Sequence, residues 1–61
     1  MIFQPGDTVI LTMPLTEYEE PYQGMKGTIT ERPLVPTLYR VEMEDGDINY
    51  FLDEQLTKVE S

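Results

Sequence analysis

The chain has 61 residues, 39% of them apolar, and a formal net charge of -8 from twelve acidic and four basic side chains. This length allows one small domain with a modest core. Cysteine and histidine are absent, which excludes disulfide bonds, thiolate metal sites and the usual acid–base group near neutral pH. Four basic residues are too few for a phosphate-binding surface, so we expect no direct binding of nucleic acid.

The first predicted elements are a short strand and a long loop. Residues 4–7 (Gln-Pro-Gly-Asp) form a turn, and residues 8–12 have the β-branched composition of a strand, with Val9 and Leu11 facing inward. Residues 15–24 then form a loop rich in Tyr, Glu and Pro. Its aromatic rings are expected to fold back onto the body of the domain.

A second strand is predicted over residues 28–32, with Ile29 facing inward. Glycine at the start of this strand, Gly27, indicates either a β-bulge or a close approach of another backbone. Residues 33–36 (Pro-Leu-Val-Pro) interrupt the pattern, because proline cannot donate to a strand ladder. They therefore form a connection between strands.

The strongest signal is a β-hairpin centred on Asp45-Gly46, a dipeptide typical of type I′ turns. Closing the chain there pairs Met43 with Ile48 and Val41 with Tyr50. Directly paired residues share a face, so the hairpin gains one apolar and one polar face. The predicted apolar face contains Tyr39, Val41, Met43, Ile48, Tyr50 and Leu52. The predicted polar face contains Arg40, Glu42, Glu44, Asp47, Asn49 and Phe51.

Residues 53–56 resemble a single short helical turn, and residues 57–59 a closing strand. Five short strands, a long early loop, a tight late hairpin and a 3-10 turn before the last strand predict an all-β fold. We expect a small five-stranded SH3-like barrel in which residues 1–61 form one domain. The alternative is a five-stranded OB-type barrel, which usually needs more residues.

The chain has no apolar run near the roughly 18 residues of a membrane span and no signal-peptide pattern at its N-terminus. We therefore expect a soluble, cytoplasmic protein without membrane insertion. Peripheral association with a larger complex remains open.

Four segments, in this order, resemble small bacterial SH3-like barrels. They are residues 6–9 (Gly-Asp-Thr-Val), residues 24–29 (Gly-Met-Lys-Gly-Thr-Ile), residues 39–42 (Tyr-Arg-Val-Glu) followed by Asp45-Gly46, and residues 52–56 (Leu-Asp-Glu-Gln-Leu). The order is similar to that of KOW-type modules and compact accessory subunits. It also resembles, more loosely, the SH3-like peripheral subunits of cyanobacterial electron-transport complexes. The resemblance implies partner binding rather than catalysis. The basic surface of RNA-binding KOW modules is missing here.

An aromatic groove is the first candidate partner-binding surface. In the predicted fold the early loop approaches the outer face of the hairpin, which brings Tyr18 and Tyr22 near Phe51. Glu19 and Glu20 would flank these rings. Aromatic walls with acidic flanks suit a proline-rich peptide that carries Arg or Lys. The alternative is that the two tyrosines only pin the loop onto the core.

An acidic band of Glu42, Glu44, Asp45 and Asp47 is the second candidate. In the predicted register Glu44 lies opposite Asp47, a mildly destabilising pair of like charges. A cationic partner or imitation of a phosphate backbone would explain the band. The alternative is a solvated edge that discourages strand-to-strand aggregation. The spacing does not match a calcium-binding EF-hand loop, so no metal is predicted.

Leu34 and Val35, bracketed by prolines in the connection after the second strand, are the third candidate. Such a segment can dock as a polyproline II ligand, or as an exposed apolar tip. The alternative is a stiff connection without a binding role.

Catalysis is not predicted. Hydroxyl side chains lack a histidine base, the pattern places no buried pair of carboxylates, and no glycine-rich phosphate loop is present. We therefore expect neither enzymatic activity nor a cofactor.

The sequence predicts a non-catalytic interaction module or small accessory subunit that docks on a larger complex. Its partner would be a protein with a basic or proline-rich surface. Two alternatives stay open: an acidic, phage-type inhibitor that mimics nucleic acid, and a peripheral subunit of a photosynthetic electron-transport complex.

Overall fold

The computed structural model describes residues 3–31 and 37–60. Over these residues the chain forms β1 (Thr8–Leu11), β2 (Lys26–Glu31), β3 (Leu38–Met43), β4 (Ile48–Leu52) and β5 (Leu56–Lys58). The strands build one antiparallel sheet in the order β4-β3-β2-β1-β5. The predicted all-β architecture with five strands is therefore confirmed.

Two 3-10 turns complete the described elements: Glu20–Tyr22 in the early loop and Asp53–Gln55 between β4 and β5. The second turn was predicted from the sequence and the first was not. A proline in the first turn of Glu20–Tyr22 suits a helical start, since proline fixes φ near the helical value and lacks an N–H that would go unpaired there.

The core lies on one face of the sheet. Val9, Leu11 and Ile29 are buried there, as the alternation of β1 and β2 predicted. The other buried apolar side chains among the described residues are Phe3, Tyr39, Val41, Met43, Phe51 and Leu56. Phe3 meets Tyr39 in an edge-to-face contact with ring centroids 5.2 Å apart, a geometry that aromatic pairs favour. Phe3 thus belongs to the core, although the sequence pattern did not indicate this.

Gly27 marks a close approach between β2 and β3, one of the two outcomes expected for it. A Cβ at this position would lie 3.1 Å from the backbone oxygen of Glu42, 2.5 Å from Val41 Cγ1 and 3.0 Å from Met43 Sδ. Glycine is therefore required by the packing rather than by the backbone angles. The irregularity in strand pairing lies further along β2, between Ile29 and Glu31.

The turn of the β3–β4 hairpin differs from the predicted type I′ turn. Gly46 has a φ of 94°, but no non-glycine residue in the described part of the chain has a positive φ, so Asp45 cannot adopt the type I′ conformation. The Gly46 N–H donates to Met43 O at 2.8 Å, and the Met43 N–H donates to Asp47 O at 2.8 Å. This pattern matches a three-residue loop, in which a type I turn is followed by a glycine bulge.

The longer loop shifts the hairpin register by one residue. Arg40 lies opposite Tyr50, and Tyr39 lies opposite Phe51. A shift of one residue moves every side chain of a strand to the other face. The predicted faces are therefore correct for β3 and wrong for β4. Phe51 is buried, with 1% of its surface exposed, whereas Ile48 is 41% and Tyr50 58% exposed. This register buries a wholly apolar ring and leaves the tyrosine accessible to water.

Candidate partner-binding surface

The early loop is held to the sheet by the buried side chain of Gln55. Its amide nitrogen donates to Met13 O at 3.1 Å and to Glu19 Oε1 at 2.9 Å, and its Oε1 accepts from the Leu52 N–H at 2.9 Å. Only 2% of Gln55 is exposed. Buried amide groups of this kind need partners to offset their loss of water. Gln55 therefore fixes the loop against the end of β4.

Glu19, expected at the rim of an aromatic groove, is used inside the loop instead. Its Oε1 accepts from the Leu15 N–H at 2.8 Å as well as from Gln55. A carboxylate that accepts two N–H donors stabilises the local backbone, because such charge-assisted bonds are comparatively strong. Glu20 is exposed.

Tyr22 connects the early loop to the hairpin loop. Its ring is partly buried and packs against the core, and its hydroxyl donates to Asp47 Oδ2 at 2.6 Å across 25 residues of sequence. The hydrogen bond to the Asp47 carboxylate raises the pKa of Tyr22 above its ordinary value of 10.0, because ionisation would remove the donated proton. Tyr22 thus pins the loop to the body, as one of the two interpretations expected.

The predicted groove of Tyr18, Tyr22 and Phe51 is not formed. Phe51 is in the core and cannot line the outer face, because the hairpin register differs from the predicted one. Tyr18 is 89% exposed. The third candidate, Leu34 and Val35, lies outside the described residues.

All four residues of the acidic band, Glu42, Glu44, Asp45 and Asp47, are exposed. Glu44 was predicted to lie opposite Asp47, but this prediction is wrong. The Asp47 carbonyl accepts a hydrogen bond from the Met43 N–H, so Met43 is the residue opposite Asp47. Asp45 Oδ1 accepts the Asp47 N–H at 3.0 Å and stabilises the turn.

No carboxylate of the acidic band forms an ion pair with a residue that the structure describes. The two ion pairs found there join Arg40 to Glu31 at 3.9 Å and Lys58 to Asp7 at 3.7 Å. The negative charge of the band is therefore not neutralised by these partners.

An apolar strip on the outer face of β4 lies beside the acidic band. It consists of Ile48, Tyr50 and the partly buried Leu52, which we call the β4 strip. Leu38 lies opposite Leu52, and Glu42 lies opposite Ile48, so the strip and the band meet on one surface. A three-residue loop between β3 and β4 would have predicted this strip from the sequence, because side chains alternate between the two faces along β4.

No family model matches the chain, and no curated protein or solved structure is significantly similar to it. Across residues 3–31 and 37–60 no helix is long and apolar enough to span a membrane. The same residues contain no group of three or more acidic side chains placed to hold a metal ion.

Proposed function

We propose that the protein is a non-catalytic interaction module or small accessory subunit with an SH3-like barrel fold. The fold assignment is supported by the strand order, in which β5 returns to pair with β1, and by the 3-10 turn between β4 and β5. Folds of this kind serve many functions, so the functional part of the proposal depends on the surface.

The adjacency of the β4 strip and the acidic band carries the proposal. Tyr50 and Ile48 expose apolar surface next to carboxylates without ion partners among the described residues. Tyrosine is enriched in interfaces because it combines a large apolar ring with a polar end. Charge of one sign steers an oppositely charged partner and fixes its orientation. The partner is therefore a protein with a basic surface that surrounds an apolar contact.

The test compares two exposed tyrosines. Proteins retained by the immobilised chain are identified, and the affinity of each is measured for wild type, Tyr50→Ala and Tyr18→Ala. We expect Tyr50→Ala to weaken binding by about tenfold or more, as for an aromatic residue central to an interface. Tyr18→Ala, outside the strip, should change it less than twofold. Equal effects of the two variants, or no retained partner at low salt, would refute the proposal.

A second candidate is an acidic inhibitor that occupies a nucleic-acid-binding site. The exposure of all four band carboxylates, without ion pairs to described residues, favours it. Affinity would then fall steeply with salt, because it would depend on many exposed charge contacts. Duplex DNA would displace the chain, and Glu42→Gln with Glu44→Gln would weaken binding far more than Tyr50→Ala. The opposite ranking of these variants would exclude mimicry.

A further inference from the structure

The outward edge of β4 presents backbone groups, at Ile48 and Tyr50, that pair with no residue the structure describes. Within the described part of the chain β4 pairs with β3 and with no other strand. At one end of this ladder Met43 bonds to Asp47, and at the other the Asp53 N–H donates to Thr37 O at 2.9 Å. Hydrogen-bonded and non-hydrogen-bonded pairs alternate in an antiparallel ladder. The backbone N–H and C=O groups of every second residue from Asp47 to Asp53 therefore point toward β3. Ile48 and Tyr50, which lie between, therefore direct their N–H and C=O groups away from the sheet.

This edge lacks the usual protection against strand pairing. The β4 sequence, Ile-Asn-Tyr-Phe-Leu, contains neither a charged residue nor a proline, whereas natural edge strands commonly carry lysine, proline or a bulge. The opposite edge strand, β5, is three residues long and carries Lys58. Free backbone groups and the exposed β4 strip thus lie on the same strand, which suits the addition of another strand.

The flanking charges select the occupant of this edge. Asp47 and Asp53 stand six positions apart, about 20 Å in an extended chain. If a second copy paired antiparallel about Tyr50, Asp47 of each copy would lie opposite Asp53 of the other. This places like charges at both ends, on molecules that each carry a net charge of -8. An incoming strand with a basic residue near each end would instead be attracted by Asp47 at one end and by Asp53 at the other.

We propose that β4 binds an extended, basic-flanked segment of a partner protein as an added strand. The inference rests on the proposed function, since it names how the module would bind. Ile48 and Tyr50 provide two donors and two acceptors, while the Leu52 N–H is already bonded to Gln55. The segment has apolar side chains at alternate positions against the β4 strip and Lys or Arg six positions apart.

The probe is a capped peptide, Lys-Val-Thr-Val-Thr-Val-Lys, whose valines would lie opposite Leu52, Tyr50 and Ile48 when its lysines lie opposite the two aspartates. Control peptides replace both lysines with glutamate, or the central valine with proline. Binding to the intact chain is followed by NMR. We expect the lysine peptide to bind at least tenfold more tightly than either control. Amide exchange at Ile48 and Tyr50 should slow severalfold at saturation.

Two variants at one position separate the backbone contribution from the ring. Tyr50→Ala and Tyr50→Pro both remove the ring, but only proline removes the outward N–H. Proline is tolerated at an edge where this group does not serve the ladder. We expect Tyr50→Pro to weaken peptide binding tenfold beyond Tyr50→Ala. Should Tyr50→Pro not fold, the exchange of the Ile48 and Tyr50 amides in wild type decides the question.

Unchanged exchange at these two amides with the peptide saturating, or equal affinities of folded Tyr50→Pro and Tyr50→Ala, would overturn strand addition. If a natural partner still depends on Tyr50 in that case, the interaction module stands and only its mode of binding is wrong. If the peptide protects both amides but no partner protein depends on Tyr50, the edge is competent for strand addition and the proposed function fails.

Discussion

Replacement of Phe51 tests the hairpin register and the surface derived from it. The ring is 1% exposed within the core, and truncation of such a ring to alanine costs about 3–5 kcal/mol. A domain of this size has a total stability of about 3–9 kcal/mol, so Phe51→Ala would unfold much of the population. Phe51→Leu keeps an apolar side chain of similar size, and we expect a measurable loss of about 1–2 kcal/mol.

Tyr50→Leu is the matched control, because it places the same residue one position away on the opposite face. Tyr50 is 58% exposed, and exposed substitutions usually change stability by less than about 0.5 kcal/mol. Urea unfolding followed by circular dichroism measures both, with the midpoints compared at equal m-values. A type I′ register would bury Tyr50 and expose Phe51. A larger loss for Tyr50→Leu than for Phe51→Leu would therefore refute the three-residue loop.

Three further changes test the packing and the hydrogen bonds described above. Gly27→Ala places a Cβ 2.5 Å from Val41 Cγ1 and should lower the free energy of unfolding by about 1–3 kcal/mol in the same urea assay; an unchanged midpoint would contradict the close approach. Gln55→Leu leaves buried polar partners unpaired and should cost about 2–4 kcal/mol, with faster amide exchange in the early loop; unaltered exchange would show that the loop is held otherwise. Because the pKa of Tyr22 is raised by its hydrogen bond to Asp47, this bond stabilises the fold below about pH 10 and is lost as pH rises through the raised pKa. Asp47→Asn should therefore lower the pKa of Tyr22, as followed by an NMR titration of its ring signals, and an unchanged pKa would exclude the bond.

The sequence predicted the faces of β1, β2 and β3 correctly because alternation within one strand requires no knowledge of its partner. Predicting which β4 side chains face the core also required the length of the hairpin loop, because this length sets the register between β3 and β4. Asp45-Gly46 is compatible with a two-residue type I′ turn and with a type I turn followed by a glycine bulge. The local sequence does not decide between them. The choice depends on whether Phe51 or Tyr50 enters the core, which is a long-range packing effect.

The candidate surface could be predicted only as well as the hairpin register. The acidic band was identified because charged residues at a loop remain exposed in either register. The prediction of an aromatic groove was wrong because it required Phe51 on the outer face, whereas Phe51 is buried. Gln55 was missed for another reason: its partners Met13 and Glu19 lie 42 and 36 residues away, and no local pattern indicates such a contact.

The acidic charge and the free edge of β4 are physically linked. A net charge of -8 and the aspartates at both ends of β4 oppose pairing between copies, and this repulsion weakens as salt shortens the Debye length to about 3 Å at 1 M. We therefore expect wild type to self-associate more at about 1 M salt than at about 0.05 M, as measured by analytical ultracentrifugation. Tyr50→Pro should stay monomeric at both concentrations because it blocks the outward edge. If both proteins self-associate equally at high salt, the copies meet elsewhere; if wild type stays monomeric there, charge is not what protects this edge.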